Sequence, residues 1–408
     1  MWQDAKNIYH FFQGVLAVAM YRFPARGMTV IGVTGTDGKT TTSSLIYHLL
    51  IKAGKKAALI SSAGALMNGK ASDVGLHVTT PGRFALQSYL QRAKKEGVEY
   101  VVLEVTSHAL HQHRVFGVPF AIGVLTNVNR EHLDYHKTWE KYVHAKAKLL
   151  QAAHTVILNK DDRSYDRIKK YELKSKDKKV ITYGMKKDSD VNPHKFHFTS
   201  KLIGKFNEYN CLAAIAALQQ LHIPDDVIRK GLTSFTAPKG RQEIVYNKQF
   251  MVVNDFAHTP QSFMSILPEM KKLTKNRLVH VFGAAALRDT YKRPEMGKLS
   301  SEYTDIIVLT SEDPRSEPIE KINTEITKGI KRELSDYKGT KVVKGKRYLF
   351  IIPDRKEAIT FAISLAQRGD VILLTGKGNE KSMNYGRGEQ PWNETDIALT
   401  AIKHNEKK

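Results

Sequence analysis

The chain has 408 residues, 41% of them hydrophobic, enough for two or three domains with real cores. Its formal net charge is +23, but the lysines are spread over the whole length and no recognised nucleic-acid motif accompanies them. That argues against a nucleic-acid partner and leaves a solvated surface, or attraction to anionic substrates or an anionic membrane face. The single cysteine, Cys211, excludes an internal disulfide and fits a reducing, cytoplasmic setting without a signal peptide.

In chain order, residues 1–27 read as an amphipathic helix, IYHFFQGVLAVAMYRF, closed by Pro24 and Gly27. The apolar run from Ile8 to Met20 is too short to span a bilayer. Phe11, Phe12, Val15, Leu16, Val18 and Ala19 fall largely on one helical face, extended by Tyr9 and Met20. That face serves either to pack on the next domain or to lie at a membrane interface. From Met28, short β-branched strands alternate with helices (MTVIGVT, AALISS, YVVLEV, AIGVLTNV, HTVILN), which predicts a parallel sheet covered on both faces. The lysine-rich stretch Lys160 to Lys195 reads as surface strands and loops, and the helix NCLAAIAALQQL follows. A second set of strands (MVVNDFA, LVHVFG, DIIVLTSE, DVILLTG) predicts a second α/β domain. The expected domains are 28–240 and 241–408, after the N-terminal helix of 1–27.

The segment from Val30 to Leu50 carries the strongest chemical signal. A strand stops at Gly35-Thr36-Asp37-Gly38-Lys39-Thr40-Thr41 and a helix follows. Glycines let backbone N–H groups approach phosphate oxygens, and the helix N-terminus adds partial positive charge. Lys39 suits terminal phosphates and the Thr40 hydroxyl suits Mg²⁺. Val33 stands where the standard P-loop has its first glycine. Glu104 ends another strand of the same sheet, a place for a Mg²⁺ ligand, and is followed by Thr106-Ser107-His108 and by Arg114. His132, Asp134 and His136 follow the next strand. In the second domain Asp255 ends a strand where it can meet ribose hydroxyls, and Gly376-Lys377-Gly378-Asn379-Glu380 ends another. Glu312-Asp313-Pro314-Arg315 sets acid beside guanidinium, suited to a zwitterionic ligand or to pairing with each other.

Nine motifs taken in order (TGTDGKTTT, LEVTSHALHQHR, TNVNREHLDYH, Ala145-Lys146, GKFNEYN, GRQE, DFAHTP, EDPR and GKGNE) resemble the Mur ligases, from about residue 28 to 395. The similarity is strongest to the branch that adds the third residue of the peptidoglycan stem. The resemblance implies a P-loop-type central ATPase domain with a parallel sheet and a C-terminal Rossmann-like α/β domain. It implies ATP and two Mg²⁺, with Thr40, Glu104, His132 and a carbamylated Lys146 on the metal side. Asn207, Asn210, Arg241 and Asp255 resemble nucleotide contacts. Thr79, Thr80, Ser107, His108 and Arg114 resemble contacts to the muramoyl-peptide. Asp313, Arg315, Gly376 and Glu380 resemble the pocket for meso-diaminopimelate, with L-lysine as the alternative amino acid. The implied reaction activates a carboxylate as an acyl phosphate, which an amine then attacks.

The sequence departs from the family in four places. The family's N-terminal UDP-binding domain has no counterpart in the 27 residues before the first strand. DNPR is EDPR, the histidine of GKGHE is Asn379, and a glycine-rich stretch reads Gly283-Ala284-Ala285-Ala286-Leu287-Arg288-Asp289. Other readings share the motifs: a ligase for a lipid-linked or other carboxylate acceptor, an amidating subunit with a glutaminase partner, or a catalytically silent binding relative. Retention of Lys39, Thr40, Glu104, His132 and Lys146 together argues against silence. Folylpolyglutamate synthase shares the expected fold and mechanism, but TTP, TSHALHQHR and EDPR favour the peptidoglycan branch. The oligomeric state is not encoded in any pattern read here.

Overall fold

The computed structural model describes all residues except 1, 73–78, 174–177, 287–289, 332, 334, 336–338, 340–341, 344, 387 and 407–408, and the backbone alone of 2–6, 8, 133 and 134. Two compact units divide at Thr236/Ala237.

The first unit opens with α1 (Trp2–Met20) and β1 (Thr29–Thr34), then α2 (Lys39–Lys52), β2 (Ala57–Ser61), β3 (Gly64–Met67), β4 (Lys70–Ser72), α3 (Arg83–Lys95) and β5 (Tyr100–Glu104). It continues through α4 (Ser107–His111), β6 (Phe120–Leu125), α5 (Leu133–His136), α6 (Trp139–Ala152), β7 (Thr155–Asn159), α7 (Tyr165–Arg167), β8 (Lys179–Tyr183), α8 (Lys205–Gln220) and α9 (Asp225–Ser234). The eight-stranded sheet runs β4-β3-β2-β5-β1-β6-β7-β8. The run β2-β5-β1-β6-β7-β8 pairs in parallel, as the alternating pattern predicts, but β3 and β4 add an antiparallel edge. A short turn between Ser61 and Gly64 makes that hairpin; GALM and KAS are too short to stand out as strands in the sequence. The central strands are buried on both faces, which is why they read as unbroken apolar runs. Helices α2 and α8 pack together on one face; Leu45, Leu49, Cys211 and Ile215 are wholly inside that core.

Strand order reverses around β1. The chain leaves β1 toward β2 on one side, and β5 is followed by β6 on the other. Loops at the carboxyl ends of β1, β5 and β6 therefore diverge and leave a crevice, the usual ligand position in an open α/β sheet.

The second unit has β9 (Glu243–Asn247), β10 (Met251–Asp255), α10 (Pro260–Leu273), β11 (Leu278–Phe282), α11 (Lys292–Tyr303), β12 (Ile306–Leu309) and α12 (Ile319–Thr327). Then come β13 (Tyr348–Ile351), α13 (Arg355–Ser364), β14 (Val371–Thr375), β15 (Ser382–Asn384), β16 (Glu389–Pro391) and α14 (Glu394–Asn405). Its sheet order is β13-β12-β11-β14-β10-β9, parallel except for β9, and β15 and β16 form a separate hairpin. β13 and β9, beyond the four strands expected, are the two edge strands of this sheet. Helix α10 starts with a capping box, Thr259 with Ser262, and Pro260 in its first turn. Arg355 and Glu394 are both wholly buried and pair through Nη2 and Nε. Arg355 also donates to the carbonyls of Ser311 (3.2 Å) and Thr375 (2.7 Å). One guanidinium thus ties together the carboxyl ends of β12 and β14. Removing one partner of such a buried pair typically costs about 3–5 kcal/mol.

Candidate active site

The loop after β1 passes through Gly35 and Thr36 to Gly38, whose φ of 79° turns the chain into α2. A Cβ on Gly38 would run into the Asn210 side-chain oxygen, so glycine is required by conformation and by space. No side chain among the described residues caps α2, and its first turn holds no acid. The helix end therefore keeps its positive field for an anion. The loop is pinned from β6: Thr36 N–H donates to the Asn127 carbonyl and Asp37 N–H to Asn127 Oδ1, both at 2.9 Å. Asn129 Nδ2 donates to Asp37 Oδ2 at 3.0 Å. Burial, then the nearby Glu131, raises the Asp37 carboxyl above its ordinary value. Lys39 Nζ donates to the Thr36 carbonyl at 2.7 Å, and Thr41 is buried one residue beyond Thr40.

Glu104, 2% exposed, lies beside this loop because β1 and β5 pair in register, Val33 opposite Glu104. Its Oε1 accepts from Thr40 Oγ1 at 3.2 Å, and its Oε2 accepts from Ser62 N–H at 2.9 Å. Ser62 Oγ lies 2.7 Å from Thr40 Oγ1. Ser62 was not among the expected site residues. Its signal is weak but readable: a hydroxyl just past the end of β2, next to the strand carrying Glu104. Among the described residues no three His, Cys, Asp or Glu side chains form a metal cage. A hydroxyl and a carboxylate beside a phosphate cradle nevertheless fit Mg²⁺, which takes one or two protein oxygens and completes its shell with phosphate and water.

Lys146 projects from α6 and is 1% exposed. Its Nζ donates to the Gly35 carbonyl at 2.5 Å and sits 4.3 Å from the centre of the Tyr142 ring. Burial, then Lys39, holds its amine well below the ordinary lysine range. Tyr142 also meets His132 and His136, with ring centres 6.1 and 5.2 Å away. His108 lies 4.9 Å from His132 and 4.3 Å from Tyr135. His136 donates to or accepts from Ser107 Oγ at 3.0 Å, and burial, then His108, pushes its pKa down to about 3. His132 has a φ of 54° and stays partly open beside Glu131, at 3.9 Å. The side chain of Asp134 lies outside the described residues.

The residues expected to meet the acceptor gather at the end of β5. Thr80 Oγ1 donates to the Glu104 carbonyl at 3.0 Å and accepts from Thr106 N–H at 3.1 Å. Arg114 Nη1 donates to the Thr80 carbonyl at 3.0 Å, and its Nε and Nη2 to Gln112 Oε1. Thr79 is half-buried next to Thr80. Asn207 and Asn210 lie on α8 behind the phosphate loop: Asn210 accepts from Thr42 Oγ1 at 3.2 Å and donates to Asn207 Oδ1 at 2.8 Å.

In the second unit Asp255 accepts Gln242 N–H and Ala257 N–H, both at 2.7 Å, one on each oxygen. Arg241 stacks over Phe256, 4.1 Å from the ring centre. Glu312, Asp313 and Arg315 follow β12, and Gly376 to Glu380 follow β14. Asp313 does not pair with its neighbour Arg315. Its Oδ1 takes Lys377 Nζ at 2.9 Å and Asn384 N–H at 3.0 Å. Lys377, 1% exposed, also binds Glu380 at 2.6 Å. Among the described residues the Arg315 guanidinium makes no ion pair. Glu312 is 6% exposed with Oε2 unpartnered, packed against Gly376 at φ 110°. Burial pushes its pKa up to about 7 against the pull of Lys292. Lys377 and Lys292 were missed as site residues because their contacts, Lys377 to Asp313 and Lys292 Nζ to the His258 carbonyl at 2.7 Å, join residues far apart in sequence. Leu287, Arg288 and Asp289 lie outside the described residues.

A phosphate loop at the switch point of a parallel-rich sheet, with Glu104 beside its threonine, defines an α/β enzyme of the ATP-dependent ligase type. The Mur ligase middle domain matches residues 33–218, and the Mur ligase glutamate ligase domain matches residues 240–378. A UDP-N-acetylmuramoyl-L-alanyl-D-glutamate–2,6-diaminopimelate ligase of Aquifex aeolicus is 36% identical over 392 residues, 92% of this chain and 77% of that protein. A solved structure of a ligase of that name superposes with a TM-score of 0.63 at 29% identity, covering 93% of this chain and 79% of that one. Mycobacterium tuberculosis folylpolyglutamate synthase, solved with ADP and AMPPCP, shares the fold at a TM-score of 0.70 and 15% identity, over 90% and 92% of the two chains. The chain belongs to the Mur ligase family, ATP-dependent acid–amino-acid ligases.

Proposed function

We propose that the protein joins meso-diaminopimelate to the D-glutamate of UDP-N-acetylmuramoyl-L-alanyl-D-glutamate in cytoplasmic peptidoglycan synthesis. The name of the Aquifex relative supports that substrate pair. The observation that carries the reading is the convergence of Thr40 and Glu104, 3.2 Å apart, at the open N-terminus of α2. The acceptor carboxylate attacks the γ-phosphorus of ATP, an oxygen–phosphorus bond forms and ADP leaves. The amine of the incoming amino acid attacks the acyl carbon, loses a proton, and phosphate departs. Lys39 and the first turn of α2 face the charge that develops on the transferring group. Mg²⁺ held by Thr40 and Glu104, and a second near His132, would neutralise phosphate charge.

Lys146 is suited to carbamylation. Its depressed pKa favours the neutral amine form, which adds to CO₂ with loss of one proton. A carbamate there would keep an N–H for the Gly35 carbonyl and would supply a carboxylate as a metal ligand. Arg114 and Thr80 are assigned to the acceptor peptide. Arg315, Gly376 and Glu380 are assigned to the amino acid, the guanidinium reading its distal carboxylate. Phosphate release measured over a panel of acceptors and amino acids tests the reading. Turnover with a lipid-linked acceptor in place of the UDP-linked one would favour the second reading, a ligase of the same chemistry with another carrier.

A further inference from the structure

The amphipathic helix α1 is docked with its small residues inward and its large ones outward. Gly14, Ala17 and Val18 are buried; Gly14 lies against Phe116 and His113, and Val18 against Gly117. The opposite face exposes Tyr9 (61%), Phe12 (64%), Leu16 (60%) and Met20 (65%), spaced three or four residues apart and so in one row. Phe11, Val15 and Phe23 widen it, each at least 38% exposed. The inward packing that the sequence allowed is therefore real, but it accounts for Val18 and not for Phe12 or Leu16. A contiguous apolar strip of this kind on a folded chain marks a surface for something else.

The charge around it points to the occupant. Through residue 99 the chain carries 12 Lys and Arg against 5 Asp and Glu. Arg22 and Arg26 are exposed just past the end of α1, and Arg26 stacks on Phe23 at 4.1 Å. Helix α3, which packs beside α1, holds Arg83, Arg92, Lys94 and Lys95, with Glu96 at its C-terminal cap 3.9 Å from Arg92. Phe84, 37% exposed, lies on the same helix. Among the described residues no helix is long and apolar enough to cross a membrane. An apolar row beside cations on a helix that is amphipathic rather than apolar all round is the build of an interfacial helix.

We infer that the exposed face of α1 docks this protein on an anionic lipid surface, Phe12 and Leu16 entering the headgroup–acyl boundary and Arg22 and Arg26 meeting lipid phosphates. The test is co-sedimentation of the full chain with vesicles of phosphatidylcholine containing 30 mol% phosphatidylglycerol, against pure phosphatidylcholine. The chain pellets with the anionic vesicles, and binding falls as NaCl rises from about 50 to 500 mM, where the screening length shrinks to a few ångströms. The double substitution Phe12→Glu and Leu16→Glu lowers partitioning on the order of 100-fold, since two large apolar groups no longer enter the interface. Arg22→Gln with Arg26→Gln lowers it about 25-fold at low salt, about five-fold for each cation. Both variants leave ATP turnover and thermal unfolding unchanged, because neither pair is in the core or the phosphate site. Equal pelleting of intact chain and Phe12→Glu/Leu16→Glu would overturn the inference. So would an intact chain that ignores anionic vesicles. A dimer in light scattering that this variant dissolves, with no vesicle binding, would assign the face to a second copy instead.

Discussion

Lys377 Nζ lies 2.9 Å from an Asp313 carboxylate oxygen, and the same ammonium holds Glu380 at 2.6 Å. The acid that replaces asparagine in EDPR is thereby paired with a buried lysine and not with Arg315, whose guanidinium is left for a ligand. Arg315→Ala should erase most of the preference for meso-diaminopimelate over L-lysine. A site built to bind a polar group can reject the analogue lacking it by about 10⁴–10⁵. Asp313→Asn should change that preference by less than about ten-fold, roughly one neutral hydrogen bond's worth. Competition between the two amino acids, read by product mass, checks both. Loss of preference in Asp313→Asn with none in Arg315→Ala would reverse the assignment.

Lys39→Ala and Glu104→Gln should each lower ATP turnover by about 10²–10³, the usual loss when one charge contact to a transferring group is removed. Neither should lower the melting temperature much. Near-normal ligation by Lys39→Ala would show that the loop after β1 does not hold the reacting phosphates.

Lys146→Ala should lose most activity, and short carboxylates such as acetate should restore part of it. An unmodified ammonium near Mg²⁺ would be repelled by roughly 4 kcal/mol per unit charge at 4 Å and an effective dielectric of 20. Bicarbonate depletion should lower the wild-type rate reversibly. Full activity without bicarbonate, or in Lys146→Ala without added carboxylate, would exclude a required carbamate.

Two groups in the second unit should oppose each other in acid stability. His280, buried between Ser300 Oγ and Thr375 Oγ1, has its pKa lowered from 6.5 to about 3 by burial. The unfolded chain then binds the extra proton, so this group removes stability as pH falls below 6.5. Glu312 has its pKa raised from 4.5 to about 7, so the folded chain binds the extra proton and stability is lost as pH rises from 4.5 through 7. Between 4.5 and 6.5 the two slopes nearly cancel, each being at most about 1.4 kcal/mol per pH unit. In urea unfolding, His280→Gln should grow less stable from pH 5 to 7, and Glu312→Gln less stable from pH 6.5 to 5. Parallel pH profiles for the two variants would contradict these titrations.

Much of this was legible in the residues. The switch from β-branched runs to helical spacing located β1, β5 and β6, and glycines at a strand end located the phosphate loop. Glu104 could be placed beside it because carboxyl ends of parallel strands share one edge. The pairing of Lys377 with Asp313 was not legible, since it joins residues 64 apart in sequence through a strand order that no local pattern encodes. Ser62 and Tyr142 were missed for the same reason. The amphipathic face of α1 was visible as periodicity, but the burial of Val18 and exposure of Phe12 depend on where Gly14 lets the helix approach Phe116.

The most direct measurement is the mass of the product formed from ATP, meso-diaminopimelate and UDP-N-acetylmuramoyl-L-alanyl-D-glutamate, together with phosphate release. One phosphate should appear for each amide formed, with the mass of the third residue added, and about 10²–10³-fold less of both with Lys39→Ala. Phosphate release without amide formation, or an amide formed at equal rate by Lys39→Ala, would contradict the assignment of this chain as that ligase.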